Sequence, residues 1–192
     1  MPRFLVLSAI LFLFVENMPA ERPFDFATTP GKLPKQVVPT EYAIRILPNI
    51  EKLTFTGSET VNLDVRAPVR ELVLNALEIE IASASVDDKP VPRDAIKIDN
   101  EKQLVTISVS AELAAGSHKL ALEFSGKINQ GGQGLYYMPY QEEGTGAKKI
   151  ALGTQFEATD ARRMFPCWDE PSFRARFQLT AVVPENFTAV SK

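Results

Sequence analysis

From Glu41 onward, apolar residues recur at every second position. Tyr42, Ile44 and Ile46 alternate with polar or small neighbours, and the same rhythm returns in Val61, Leu63 and Val65, in Val105, Ile107 and Val109, and in Leu120, Leu122 and Phe124. Successive side chains of an extended chain point to opposite faces, so each run predicts a strand with one face buried and one wet. Turn-forming clusters separate the runs: Pro48-Asn49, Asp87-Asp88-Lys89-Pro90, Asp99-Asn100 and Ala115-Gly116-Ser117, at intervals suited to antiparallel sheets. The last run, Phe173 to Val183, sets Phe173, Ala175, Phe177, Leu179, Ala181 and Val183 on a predicted core face. Arg174, Arg176, Gln178 and Thr180 fall on the other, where alternating arginines read as a solvated strand face together with nearby Arg162 and Arg163. Helix is scarce. The best candidate is a short turn opening at Thr159 or Asp160, running through Ala161 to Met164 and stopped by Pro166. The predicted fold class is all-β, a single domain of saddle-like or sandwich-like antiparallel sheets.

The N-terminus follows different rules. Arg3 supplies a positive start, Phe4 to Val15 is apolar except for Ser8, and Asn17-Met18-Pro19-Ala20 ends on a small residue. This reads as a signal peptide over residues 1–20, an apolar signal helix that directs export to a periplasmic, secreted or extracellular location. The stretch is short for a bilayer, so no stable membrane span is expected, with an uncleaved signal anchor as the alternative. Residues 21–39 carry Pro23, Pro30, Pro34 and Pro39 and predict an extended lead-in. The β domain then occupies residues 40–192.

Composition narrows the chemistry. The chain is 45% hydrophobic and 23% charged with a net charge of −3, which gives no electrostatic reason to expect nucleic acid. One histidine, His118, and one cysteine, Cys167, exclude H-E-x-x-H, C-x-x-C and an internal disulfide. No metal site and no cofactor are expected within the chain. His118, after Gly116-Ser117 at a strand start, reads as exposed or turn-bonded. Asn186-Phe187-Thr188 matches N-x-T, which matters only in a host that glycosylates exported proteins.

The densest chemistry runs from Gly153 to Pro171. Gln155 and Glu157 stand two residues apart and predict a shared strand face, with Phe156 turned the other way into packing. A carboxylate beside an amide can hold a primary ammonium by a charge-assisted hydrogen bond while the amide serves a neighbouring peptide group. A polar strand face in water is the alternative. Cys167 has no evident base beside it and reads as a buried inert thiol. Asp169 and Glu170, between Trp168 and Pro171, read as turn-bonding groups and not as a catalytic pair.

The segment Thr154-Gln155-Phe156-Glu157-Ala158-Thr159-Asp160-Ala161-Arg162-Arg163-Met164-Phe165-Pro166-Cys167-Trp168-Asp169-Glu170-Pro171 resembles a stretch of the zinc aminopeptidases of the aminopeptidase N and puromycin-sensitive type. Leu33-Pro34, Pro39, Tyr42 and Pro48, then Phe55 with Gly57, Leu74-Asn75, Phe124 with Gly126, and Gly134-Leu135-Tyr136 match further stations of that family in order. The resemblance implies a saddle-shaped N-terminal β domain that caps one side of a peptidase cleft. It assigns substrate binding to Glu157, on the free α-amino group, and to Gln155, beside the first side chain.

The same resemblance implies a secreted metallopeptidase that removes N-terminal residues from peptides. Its partners are the peptide N-terminus and a zinc catalytic domain that supplies the metal, the water-activating glutamate and a G-x-M-E-N segment. None of those motifs stands in these 192 residues. The chain is therefore expected to be inactive alone and to be an incomplete, C-terminally truncated domain whose last strand leaves an unpaired edge. A freestanding exported peptide-binding or interaction module is the second reading. A secreted adhesion sandwich is the third, and it leaves the match from Gln155 to Pro171 unexplained.

Overall fold

Apolar alternation becomes eleven strands in the computed structural model, which describes residues 23–191. They are β1 (Val37–Asn49), β2 (Thr54–Val65), β3 (Val69–Asn75), β4 (Ile79–Val86), β5 (Lys89–Pro90), β6 (Ile96–Asp99), β7 (Leu104–Leu113), β8 (Gly116–Lys127), β9 (Gly134–Gln141), β10 (Lys148–Gln155) and β11 (Arg176–Ala181). The expected signal helix over residues 1–20 lies outside the described residues. Two compact units divide the chain, Met1–Pro30 and Gly31–Lys192. Within the described part of the first, Asp25 organises a turn by accepting from the Ala27 amide through Oδ1 (2.9 Å) and from the Thr29 hydroxyl through its carbonyl (2.7 Å). Among the described residues no helix is long and apolar enough to cross a membrane.

In the second unit, a six-stranded sheet runs in the order β11-β1-β2-β8-β4-β5, a three-stranded sheet in the order β3-β7-β6, and β9 and β10 form a two-stranded ribbon. The inner faces of the first two sheets share one core. Tyr42 and Ile44 of β1, Val61 and Leu63 of β2, and Leu120 and Leu122 of β8 pack with Leu72 and Leu74 of β3 and Val105 and Ile107 of β7. All of these but Leu72 and Leu74 belong to the alternating runs whose period of two predicts burial. Where β2 meets β8, Phe55 stands opposite Gly126 and Gly57 opposite Phe124. A Cβ at either glycine would lie 2.5 Å from the facing ring, so each missing side chain leaves the room that the phenyl ring opposite it fills.

The final run departs from its predicted pattern. It forms a strand only over Arg176–Ala181, which pairs parallel to β1, not antiparallel. Every residue of that strand is exposed, with Phe177 at 60% and Leu179 at 46%. The reason is position: β11 is the outermost strand of its sheet, and no layer among the described residues covers its apolar face. The core claims only the residues just before it, Phe173 and Ala175, although the Phe177 ring still stacks on Tyr42 at 4.8 Å.

One inner-face position is occupied by a carboxyl group. Glu59 of β2 stands opposite Ile44 and Leu122, is 3% exposed, and neither carboxyl oxygen has a hydrogen-bond partner in the protein. Burial pushes its pKa well above the usual carboxylate range, because the charged form would lose its hydration at this position.

His118 at the start of β8 is turn-bonded, as its setting implies. Its Nδ1 faces Asp87 Oδ2 at 2.7 Å and its Nε2 faces the Ala114 carbonyl at 2.9 Å. Two acceptors favour the doubly protonated ring, and the bond to Asp87 is the main cause of a pKa raised above the ordinary 6.5. Partial burial pushes Asp87 up, but bonds from His118 and the Lys119 amide outweigh it and leave its pKa below 3.8. A raised histidine stabilises fully below pH 6.5 and loses that contribution as pH rises through its folded pKa. A lowered aspartate stabilises above pH 3.8 and loses its share as pH falls through its folded value. His118→Gln should therefore cost most between about pH 4 and 6.5 and progressively less above, by at most about 1 kcal/mol because water screens the pair. Urea melts across pH 4 to 9 check this; a pH-independent deficit contradicts it.

Candidate functional site

The candidate site sits where β10 leaves its ribbon. Antiparallel pairing sets Gly134 opposite Gln155, Tyr136 opposite Gly153, and Met138 opposite Ala151 on one face. The other face carries Leu135, Tyr137 and Leu152. Leu135 is buried in the core, and Tyr137 and Leu152 pack against it, which fastens the ribbon and leaves Gln155 exposed on the outward face.

Gln155 is the last residue of β10. The strand does not continue to Glu157, so the two residues do not share a strand face as their spacing predicts. Phe156 turns inward, is half-buried and meets the Phe165 ring edge-on at 6.0 Å. A turn then begins at Glu157, closed by the Asp160 amide donating to the Phe156 carbonyl at 2.9 Å. The Glu157–Ala158 peptide bond is cis. Glu157 is exposed, and its carboxylate engages no hydrogen-bond or ion-pair partner among the described residues. The structure thus brings both candidates to one strand exit, on either side of an inward-turned phenylalanine.

The predicted turn forms as a single 3₁₀ turn, Ala161–Arg163, preceded by Asp160. Asp160 does not cap it through its side chain but bonds Arg163 Nε at 2.9 Å, while Arg163 also reaches Glu78 at 2.7 Å. Arg162 departs from the solvated reading altogether. Its side chain is 10% exposed; Nε donates to Asp169 Oδ2 at 2.9 Å, one terminal nitrogen to the Asp169 carbonyl at 3.0 Å, and the other to Gln103 Oε1 at 2.9 Å. The planar fork satisfies two parts of the chain at once, which a lysine could not do. Arg174 and Arg176 remain exposed.

Asn75, at the end of β3, completes the clamp. Its backbone exchanges two hydrogen bonds with Cys167, at 2.7 and 2.9 Å, and its Oδ1 accepts from the Asp169 amide at 3.2 Å. The Trp168 amide donates to the buried Tyr42 hydroxyl at 3.2 Å. Glu170 Oε1 accepts from the amides of Lys32 and Leu33 at 2.6 and 3.0 Å, tying the approach to β1 to the same segment. Asp169 and Glu170 therefore bond turns, as read from their setting. Cys167 is buried, and burial raises its thiol well above its ordinary pKa, which makes it an inert packing group.

Among the described residues no grouping of three or more His, Cys, Asp or Glu side chains could hold a metal ion. The zinc that the resemblance implies has no ligand set among them.

Comparison with known proteins extends this geometry to a family. Residues 38–192 match the peptidase M1 N-terminal domain. The chain is 40% identical over 172 residues to an aminopeptidase N of Acetobacter pasteurianus, covering 90% of this chain and 48% of that protein. It is 38% identical over 161 residues to aminopeptidase M1-C of Oryza sativa subsp. japonica, covering 84% and 18%, and 37% identical over 166 residues to aminopeptidase M1 of Arabidopsis thaliana, covering 83% and 19%. It spans about half the length of the first relative and under a fifth of the other two. The all-β architecture and a family match over most of the chain lead to one conclusion: it belongs to the peptidase M1 N-terminal domain family.

Proposed function

We propose that this domain supplies the amine-binding wall of an aminopeptidase cleft. Glu157 accepts the α-ammonium group of a peptide substrate and Gln155 flanks the first side chain. The observation that carries the reading is the exposed, unpartnered Glu157 carboxylate at a strand exit held from behind by Arg162, Asn75 and Tyr42. A carboxylate at the end of a rigid strand exit, left without an internal cation, is open to an external one. A free N-terminus carries that charge; an acylated one does not.

The zinc and the groups that activate water belong, in this reading, to polypeptide outside the described residues, so the chain alone binds and does not hydrolyse. Export follows from residues 1–20.

The test is kinetic. The chain is fused in place of the matched segment of the rice relative, and hydrolysis of a leucyl anilide is measured. Glu157→Gln should lower kcat/KM about 30-fold, the loss of one charge-assisted hydrogen bond worth about 2 kcal/mol. An unchanged kcat/KM overturns the role.

A further inference from the structure

The outer face of the six-stranded sheet, turned away from the core, has no assigned task, and no layer among the described residues covers it. Three rows of side chains cross it. In the first, Arg45 of β1, Ser58 of β2 and Glu123 of β8 stand in register; the second is Ala43, Thr60 and Ala121; the third is Glu41, Asn62 and Lys119. On either side of β2 the rows match in size and oppose in sign: arginine against glutamate, alanine against alanine, glutamate against lysine. Neighbouring strands lie about 4.8 Å apart, so the two charges of a row stand about 10 Å from each other and do not pair within the chain. Among the described residues Arg45 engages no hydrogen-bond or ion-pair partner, and Glu123 accepts from the Ser83 hydroxyl at 2.9 Å. Glu41 accepts from the Asn62 amide group at 3.3 Å, and Lys119 meets exposed Asp88 at 4.0 Å.

We propose that this face is a contact between two copies of this chain, related by a two-fold axis that runs along β2. The proposal is independent of the amine-binding reading of Glu157. Such a contact is isologous: it sets Arg45 over Glu123 of the second copy, Glu123 over its Arg45, and Glu41 and Lys119 over each other in the same way. An axis across the strands would also join opposite charges, Arg45 to Glu41 and Lys119 to Glu123, but it carries Arg176 onto Thr180. The axis along β2 instead carries Arg176, beside Glu41, toward Asp87, beside Lys119, and so adds a third opposite pair. A uniformly twisted sheet turned about one of its own strands keeps its twist, so the strands of the two copies stay aligned. Packed sheets lie about 10 Å apart, less than arginine and glutamate need head-on, so the paired side chains must lean. The alanine row gives them room: with Ala43, Thr60 and Ala121 on its floor, the face holds a trough of about 500 Å³. The face spans about 25 Å across five strands and about 20 Å along three rows. A dimer therefore buries about 1,000 Å² in all, the low end for specific interfaces, which makes it reversible, with a Kd of about 100 μM in dilute salt.

The experiment is sedimentation equilibrium of the 192-residue chain at up to about 1 mM, in about 20 mM and about 500 mM salt. A dimer is expected in dilute salt, weakened about 10-fold at the higher concentration, where exposed pairs are screened. Arg45→Glu and Glu123→Arg should each weaken it about 30-fold or more, because two attractive contacts become repulsive. An equimolar mixture of the two variants should associate as tightly as the wild type, since each reversed charge then meets its opposite in both contacts. Emission from the buried Trp168 reports whether each variant is folded. If either is not, Glu41→Lys and Lys119→Glu must show the same loss alone and the same recovery when mixed. A chain that stays monomeric at about 1 mM in dilute salt overturns the proposal. So does a loss of association that mixing fails to restore. Association that both reversals leave unchanged overturns it as well, and its disappearance in Leu179→Lys would then assign the contact to the exposed edge strand β11.

Discussion

Arg162→Ala should destabilise the domain by about 3–5 kcal/mol, because removing one member of a buried ion pair leaves the other uncompensated. Asp169 would keep its carboxylate at 13% exposure with its strongest donor gone, and Gln103 and the Asp169 carbonyl would lose partners in the same step. The damage is local in origin and wide in effect. Asn75, Cys167 and Asp169 hold the segment after the candidate site to the end of β3, and Arg162 holds Asp169. Arg162→Lys should recover only part of the loss, since an ammonium cannot reproduce the planar fork. Urea denaturation of the three proteins measures this, and a deficit below about 1 kcal/mol for Arg162→Ala, the value of an exposed pair, would contradict the structure.

Glu59→Met should act in the opposite direction and stabilise by about 2–4 kcal/mol at pH 7. The carboxyl occupies a core position between Ile44 and Leu122 with both oxygens unpaired, and each orphaned polar atom in such a place costs about 1–3 kcal/mol. Methionine has a similar length and no polar demand. The pH dependence identifies the cause. Because the folded pKa is raised, the folded state keeps its proton above pH 4.5 while the unfolded state releases it. Wild-type stability from this group therefore falls as pH rises. The advantage of Glu59→Met should grow between pH 4.5 and 7. Equal stability at both pH values would mean that the carboxyl is satisfied in solution.

The strands were legible because burial on one face leaves a period of two, and Tyr42, Ile44, Val61, Leu63, Val105, Ile107, Leu120 and Leu122 all occupy the core their alternation predicts. Phe177 and Leu179 obey the same period and stay exposed. Alternation reports which residues share a face; whether a layer covers that face depends on strand order, which periodicity does not encode. Glu59 sits in phase with Phe55, Gly57 and Val61 and was open to detection on that ground, but a carboxyl in an alternating run reads as a solvent position. Arg162 departs from its solvated reading for a similar reason. Charge predicts solvation by default, and only the distant partners Asp169 and Gln103 show otherwise. The two-residue spacing of Gln155 and Glu157 implies a shared strand face, but the strand ends at Gln155, where Phe156 turns in toward Phe165.

A carboxylate that receives a substrate ammonium must report its arrival. With glutamate side-chain carboxyls labelled in 13C and the Glu157 signal assigned by its loss in Glu157→Gln, the chain is titrated at pH 7 with leucinamide and then with N-acetyl-leucinamide. The Glu157 carboxyl resonance should shift saturably with the free amine and stay in place with the acetylated compound. A resonance that ignores both, or that follows both alike, would contradict the amine-binding role.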